Sequence, residues 1–529
     1  MSGPRILRMR PGVGAPDTVA THPLIGAACA KQSRIQGRTA FFDTPDLDLA
    51  ARGVDLQVGR GPQGAPIQRL LNVGLAAPHV PEGRALLIWQ GPAPSDAQLN
   101  LSQLAASTDT LGQIGGIDLA QLRRCFILNY ERRTWKLAFP NGDKLVVREE
   151  VGALDDGDCV EPYREIELEL TSGSPSRFYE VSLAIMHYLH AALTPLGPPA
   201  RWQAARRPDA LQPRAPRRNA LRPDMHLDQA YGRINQNVLD AMVAALPLVS
   251  HGQGAVWMQG HATLLDGVRR LRLMESWFAP SIPDGIRQAM GGELAWIEER
   301  LDEARAWGAL RQSLLAPFSE HFADLPGVAA MMSESDARWR EARARLQEAL
   351  AHPRFARFLL GLYHWMTGRG WRNRFDQEER LAFEGEVKTF AAEQFSLGHR
   401  FIRRQGVRFG FDASHPDAPE WPGRAQDDAL ALLGDAFIDA KPRREYQTAM
   451  ARWRRLAEEQ RMLLDGMAPL GRLKQTLPQE LLHMLTGWLG ARAAEMRHEG
   501  REAWRHAANC PPFWLGAPPL DAAEETPHE

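Results

Sequence analysis

Along residues 1–170 apolar and polar positions alternate in short bursts separated by Gly and Pro, at 6–10, 54–58, 67–72, 85–90, 134–139, 145–148 and 165–170. Successive strand side chains point to opposite faces, so bursts of this kind predict short strands and an all-β sandwich or barrel. The run at 165–170 is the most regular. Glu165, Glu167 and Glu169 share one face, and Ile166, Leu168 and Leu170 the other. Glutamate is a poor strand former, and neighbours on one face stand only about 6–7 Å apart at a rise of about 3.3 Å per residue. Such a face is either solvated or an acidic wall inside a small barrel, charged for a metal or for basic partners. Residues 174–193 follow with a helical pattern. Residues 195–223 hold seven prolines and seven arginines, too proline-rich to be expected as helix or central strand. From 225 to about 504 the pattern is helical throughout, and the tail after Trp514 is acidic and expected to be disordered.

Composition adds mainly exclusions. A chain of 529 residues with 44% hydrophobic and 24% charged residues is long enough for several domains with large cores. Its formal net charge of −1 gives no global attraction to nucleic acid or anionic membranes. No apolar run approaches the roughly 18 residues needed to span a bilayer, and the N-terminus lacks a signal-peptide pattern, so a cytoplasmic protein is expected. The four cysteines, Cys29, Cys125, Cys159 and Cys510, have no zinc-site or disulfide-framework spacing.

Two segments together point to a family. The stretch 41–60, FFDTPDLDLAARGVDLQVGR, resembles the signature of CYTH domains, the triphosphate tunnel family, and REIELELTSG from Arg164 resembles that family's closing strand. Further on, residues 264–278, 293–305 and 358–371 resemble a CHAD domain, the helical polyphosphate-associated partner often fused to CYTH. The resemblance implies a multidomain α and β protein: an N-terminal eight-stranded antiparallel β-barrel followed by an all-α helical-bundle domain. The boundaries it suggests are 1–194 for the tunnel, 195–223 for a Pro/Arg-rich linker, 224–514 for the helical domain and 515–529 for the tail. It further implies Mg2+ or Mn2+ held by Glu165, Glu167 and Glu169. Triphosphate would be gripped by Arg8, Arg69 and Arg132, and polyphosphate by Arg269, Arg270, Arg272 and Arg305 on the helical domain.

The match departs from the family at the residues that carry chemistry. The opening ExExK strand is here Pro4-Arg5-Ile6-Leu7-Arg8, without either acid. LRVR becomes Leu56-Gln57-Val58-Gly59, and QTLK becomes Gln68-Arg69-Leu70-Leu71. The register of 147–155 stays open. In the helical half, the second basic helix is replaced by DDALALLGDAFIDA at 427–440, with Asp427, Asp428, Asp435 and Asp439. A triphosphate site needs converging cations as well as metal. The reading is therefore a triphosphate- or polyphosphate-linked protein that has lost catalysis, its glutamates held by arginine. The alternatives are an active metal-dependent triphosphatase with an altered site and a non-catalytic scaffold for a protein partner. The basic stretch 201–222 joined to Arg269, Arg270 and Arg272 is the expected place for any polyanion. The turn at Asp43, Asp46 and Asp48 is read as structural, as is the pair His187 and His190.

Overall fold

The computed structural model describes residues 5–515, apart from 62, 74–85, 212, 214–216, 280–281, 371–382, 410–422, 438–439 and 474–476. The acidic tail and Asp439 therefore lie outside the described residues. Two compact units are formed, and they do not follow chain order. The first comprises residues 1–216, 238–267 and 347–370; the second comprises 217–237, 268–346 and 371–529.

The first unit is built on nine antiparallel strands: β1 (Arg5–Arg10), β2 (Cys29–Asp43), β3 (Val54–Arg60), β4 (Pro66–Asn72), β5 (Leu86–Pro92), β6 (Arg123–Ala138), β7 (Lys144–Asp155), β8 (Val160–Ser172) and β9 (Ala192–Leu193). Their order is β5-β4-β3-β2-β6-β7-β8-β1-β9. This corrects the expected closed eight-stranded barrel: among the described residues the sheet is open. The C-terminal half of the outer edge of β1 is taken: Met9 pairs with Leu193 and Arg10 with Ala192, and Thr194 N–H donates to the Arg8 carbonyl at 3.1 Å.

One sheet face is apolar. Ala40, Phe42, Val54, Leu56, Val58, Leu70 and Ile127 form a core with Leu49, Leu104 and Ile114 from three short helices, Asp48–Ala51, Leu101–Ala106 and Thr108–Ile114. Burying each large side chain there is worth about 1.5–3 kcal/mol. Asp43 sets the first of these helices by accepting from Thr44, Leu49 and Ala50 N–H groups at 2.7, 2.9 and 2.9 Å. The acidic turn is thus a cap. On the β1–β8 side the helix Pro175–Tyr188 buries Phe178, Val181 and Ile185. Residues 238–267 and 347–370 complete this side: Tyr363 stacks on Tyr179, with centroids 4.9 Å apart, and donates to Asp240 at 2.7 Å.

β2 escapes the alternation rule. Its residues from Ala30 to Arg38 are almost all exposed, so no apolar face marks them. They are extended because β6 pairs with them residue for residue, from Lys31↔Lys136 to Phe41↔Phe126. At Gly152 in β7 the backbone passes so close to β6 that a Cβ would stand 2.3 Å from the Asn129 carbonyl oxygen. The open register of 147–155 is resolved: Arg148 lies opposite Glu167, and Glu150 opposite Glu165.

The proline-rich segment brings a second correction. Pro198–Arg206 is a helix. Its two prolines occupy the first helical positions, where the missing N–H has no intrahelical partner to lose and the fixed φ suits the helix.

The second unit is helical, with Trp307, Phe318, Phe395, Tyr446 and Trp453 among its fully buried side chains. No helix among the described residues is long and apolar enough to cross a membrane.

Candidate functional site: an arginine-locked cavity

The sheet's polar face curls around a cavity of about 670 Å3 lined from β1–β4 and β6–β8 and by residues 195–203. Strand parity puts alternate residues into it. Glu165, Glu167 and Glu169 all face this cavity, as do Arg8, Arg69 and Arg132. The sequence thus located the wall and three of its cations. It did not locate their partners.

Glu167 is held at both oxygens. Arg8 meets Oε2 through Nε at 2.9 Å and Nη2 at 2.8 Å, and Arg148 donates to Oε1 at 2.7 Å. The second arm of Arg148 reaches Glu169 Oε2 at 2.7 Å. Arg132 binds Glu150 Oε2 at 2.7 and 2.6 Å and lies over the Tyr130 ring at 5.0 Å, and Tyr163 O–H donates to Glu150 Oε1 at 2.7 Å. Burial pushes the Glu167 carboxyl up, but the charges of Arg8 and Arg148 outweigh it and hold the group below the usual glutamate value. Glu165 has one guanidinium, Arg201, and there burial wins: its pKa is raised.

Arg201 comes from the helix Pro198–Arg206, which closes one end of the cavity. Arg201 also donates to the Leu196 carbonyl at 2.9 Å. Trp202 packs on Phe126 at 4.7 Å and donates to Asp156 at 2.9 Å. Gln203 donates to Asp55 at 2.9 Å. Asp55 is buried, with its pKa pushed up to about 6 by desolvation, Gln203 opposing the rise and Asp43 adding to it. Arg206 stacks on Trp202 at 3.9 Å and pairs with Asp156. Arg201 and Arg206, expected as part of a polyanion-binding stretch, are therefore spent inside the first unit.

Counted together, Arg8, Arg69, Arg132, Arg148 and Arg201 face Asp55, Glu150, Glu165, Glu167 and Glu169, five cations against five acids. Among the described residues no three His, Cys, Asp or Glu side chains are arranged to share a metal ion. This donor set does not fit a divalent cation, since the carboxylate oxygens that would ligate it already accept from guanidinium groups. His187 and His190 are not co-facial on one helix: the helix ends at Tyr188, and His190 has a left-handed φ of 46°. Arg148, Glu150, Tyr163, Asp55 and Gln203 were missed from the sequence, and Arg201 was assigned to a polyanion instead of to Glu165. The alternation Val147-Arg148-Glu149-Glu150 carried a usable signal, but its register could not be fixed without the partner strand.

In the second unit the expected polyphosphate arginines are paired as well. Arg270 meets Asp428 at 3.1 Å, Arg272 meets Glu298 at 2.8 Å, and Arg305 meets Asp302 at 2.8 Å. Arg269 is half-buried and also engaged. Of the acids that replaced the second basic helix, Asp428 is thus the partner of Arg270, while Asp427 pairs with Arg454 at 3.1 Å and Asp435 lies 3.8 Å from Arg443.

Residues 233–472 match the family model of the CHAD domain. No curated protein matches the chain. Among solved structures, the CHAD domain from the plant Ricinus communis is similar at 24% identity and a TM-score of 0.46, over 56% of this chain and 96% of that one. A protein from Hippeastrum, described as a putative adenylyl cyclase with a dominant triphosphatase activity, aligns at 16% identity and 0.24 over 38% of this chain and 95% of its own. PptA from Streptomyces chartreusis aligns at 16% and 0.34 over 54% and 98%. At TM-scores below 0.5 none of the three extends the assignment beyond the segment matched by the family model.

Proposed function

We propose that this protein is a non-catalytic binder of phosphate polyanions, in which the β unit has replaced a metal-and-triphosphate site with internal ion pairs and the CHAD segment retains the polyanion. The observation that supports this most is the double capture of Glu167 by Arg8 and Arg148. A triphosphate brings several negative charges, and a cavity whose cations and acids balance offers it no excess positive charge. Neither Mg2+ nor Mn2+ enters this reading. The CYTH resemblance then describes ancestry rather than activity, and the CHAD resemblance supplies the ligand class. Within the second unit the helix Val387–Phe409 carries Arg400, Arg403 and Arg404, all exposed and none in an ion pair among the described residues. These take over from Arg269, Arg270, Arg272 and Arg305 as the polyanion contact. The test is phosphate release from tripolyphosphate with Mg2+ or Mn2+. No turnover is expected; turnover of about 1 per second or faster, abolished by Glu167→Gln, would overturn the reading. Binding of labelled polyphosphate should weaken steeply with salt and weaken further when the three arginines become glutamine.

A further inference from the structure

The ion pairs leave one corner of the cavity unspent. Arg69 in β4 lines the cavity and has no ion-pair partner among the described residues. Its guanidinium extends over β3 at Gly59, where a Cβ would lie 3.8 Å from Nη1 and 3.4 Å from Thr39 Oγ1. Arg69 Nη1 and Thr39 Oγ1 thus both lie beside the same point on β3, which places Arg69 toward β2. Gln57 stands directly opposite Arg69, and Phe41 directly opposite Gln57. Neither the buried Thr39 hydroxyl nor the Gln57 amide has a side-chain hydrogen bond among the described residues. Around this polar trio the lining includes Phe41, Leu71 and Leu128, and one nearby acid, Asp55, lies opposite Leu71 and accepts from Gln203 at 2.9 Å. The far wall is different in kind, because its charges neutralise one another.

We propose that this corner binds a small organic monoanion, a carboxylate on an apolar or aromatic body, with the carboxylate on Arg69, Thr39 and Gln57 and the body against Phe41, Leu71 and Leu128. One unpaired guanidinium with two neutral hydrogen-bonding groups matches one negative charge. A polyanion would leave its remaining charges beside Glu150, Glu165 and Glu169. Sites for small ligands typically occupy about 300–1,000 Å3 and combine an apolar lining with a few converging polar groups, which is the division seen here. The inference takes from the proposed function only the ion-paired far wall of the cavity, and its readout is independent of catalysis.

The test uses the full-length protein and three probes: 2-naphthoate, its neutral isostere 2-naphthamide, and tripolyphosphate. Calorimetric titration should show 2-naphthoate binding once per chain and roughly tenfold or more tighter than the amide, the size of a charge-assisted hydrogen bond. In Arg69→Gln that gap should collapse to about twofold or less, while Arg69→Lys retains part of it and Arg34→Gln, in the exposed part of β2, leaves it unchanged. Tripolyphosphate should not displace 2-naphthoate. Equal affinity for acid and amide in the wild type, or a gap that survives Arg69→Gln, would overturn the proposal. So would displacement by tripolyphosphate that depends on Arg69, which would assign the corner to phosphate. Should Arg69→Gln fail to fold, the wild-type gap and the competition still decide. Hydrolysis of tripolyphosphate without 2-naphthoate displacement would refute the proposed function and leave this site standing.

Discussion

Arg201→Met is the most informative single perturbation of the cavity. The side chain is 16% exposed and its partner Glu165 8% exposed, so the pair is largely removed from water. Removing one member of such a pair strands the other, at about 3–5 kcal/mol when burial is complete. Partial exposure of Arg201 argues for the lower end, about 3 kcal/mol. In thermal unfolding this corresponds to a loss of roughly 6–12 °C for a body of this size. The sign of the pH dependence follows from Glu165. Its pKa is already above the usual value in the folded state, and losing Arg201 raises it further. A carboxyl raised on folding is stable while protonated and loses stability as pH rises through its folded pKa. The deficit of Arg201→Met should accordingly be small near pH 4 and largest at pH 7–8. Glu165→Gln should restore about half of it in the double variant, with a coupling of about 2 kcal/mol in a double-mutant cycle. Arg34, paired with Glu131 but 60% exposed, is the control and should cost less than about 1 kcal/mol when changed to Met. A cost for Arg201→Met no greater than this control, or one independent of pH, would refute the locked-cavity account.

Other expectations are simpler to state. Asp55, at about 6 folded against an ordinary value near 4, holds a proton between those limits that the unfolded chain has lost. Stability should therefore fall by about 3 kcal/mol as pH rises across that window, and Asp55→Asn should flatten the curve in urea titrations from pH 3.5 to 7. Gly152→Ala drives a Cβ into the Asn129 carbonyl oxygen and should cost about 1–3 kcal/mol, read from the same unfolding curves. Asp428→Ala leaves Arg270 without its carboxylate and should destabilise the helical unit by about 1.5–3 kcal/mol, seen as a lowered midpoint for tryptophan fluorescence. Added magnesium should leave the melting temperature of the wild type unchanged.

What could be read in advance follows from periodicity. β3 and β8 were legible because one face is apolar and the other is not, and that same parity put Glu165, Glu167 and Glu169 on the cavity side. β2 was not, since its polar residues are exposed for half its length and only β6 makes them a strand. Barrel closure was inferred from resemblance, and resemblance has no access to an edge. Two residues, Ala192 and Leu193, pair with the end of β1, at Met9 and Arg10. Arg148 was illegible for a different reason: which way a strand residue points depends on a register set by its neighbours. The helix Pro198–Arg206 was hidden by a rule about helix interiors applied to prolines that stand at its start.

The discontinuity of the first unit has a consequence for how the chain is made. Its sheet ends at Ser172 apart from β9, yet the ring that covers Tyr179 belongs to Tyr363, roughly 190 residues later. At a synthesis rate of about 5–20 residues per second the strands are complete some 10–40 s before that ring emerges from the ribosome. Through this interval the helix Pro175–Tyr188 displays an apolar flank with nothing to rest on, while the segment between, residues 268–346, is still being threaded out as part of another body. A nascent chain of this design spends roughly a third of its translation as a sheet with an unroofed helix, the state in which a chaperone, or a neighbouring copy, would meet it.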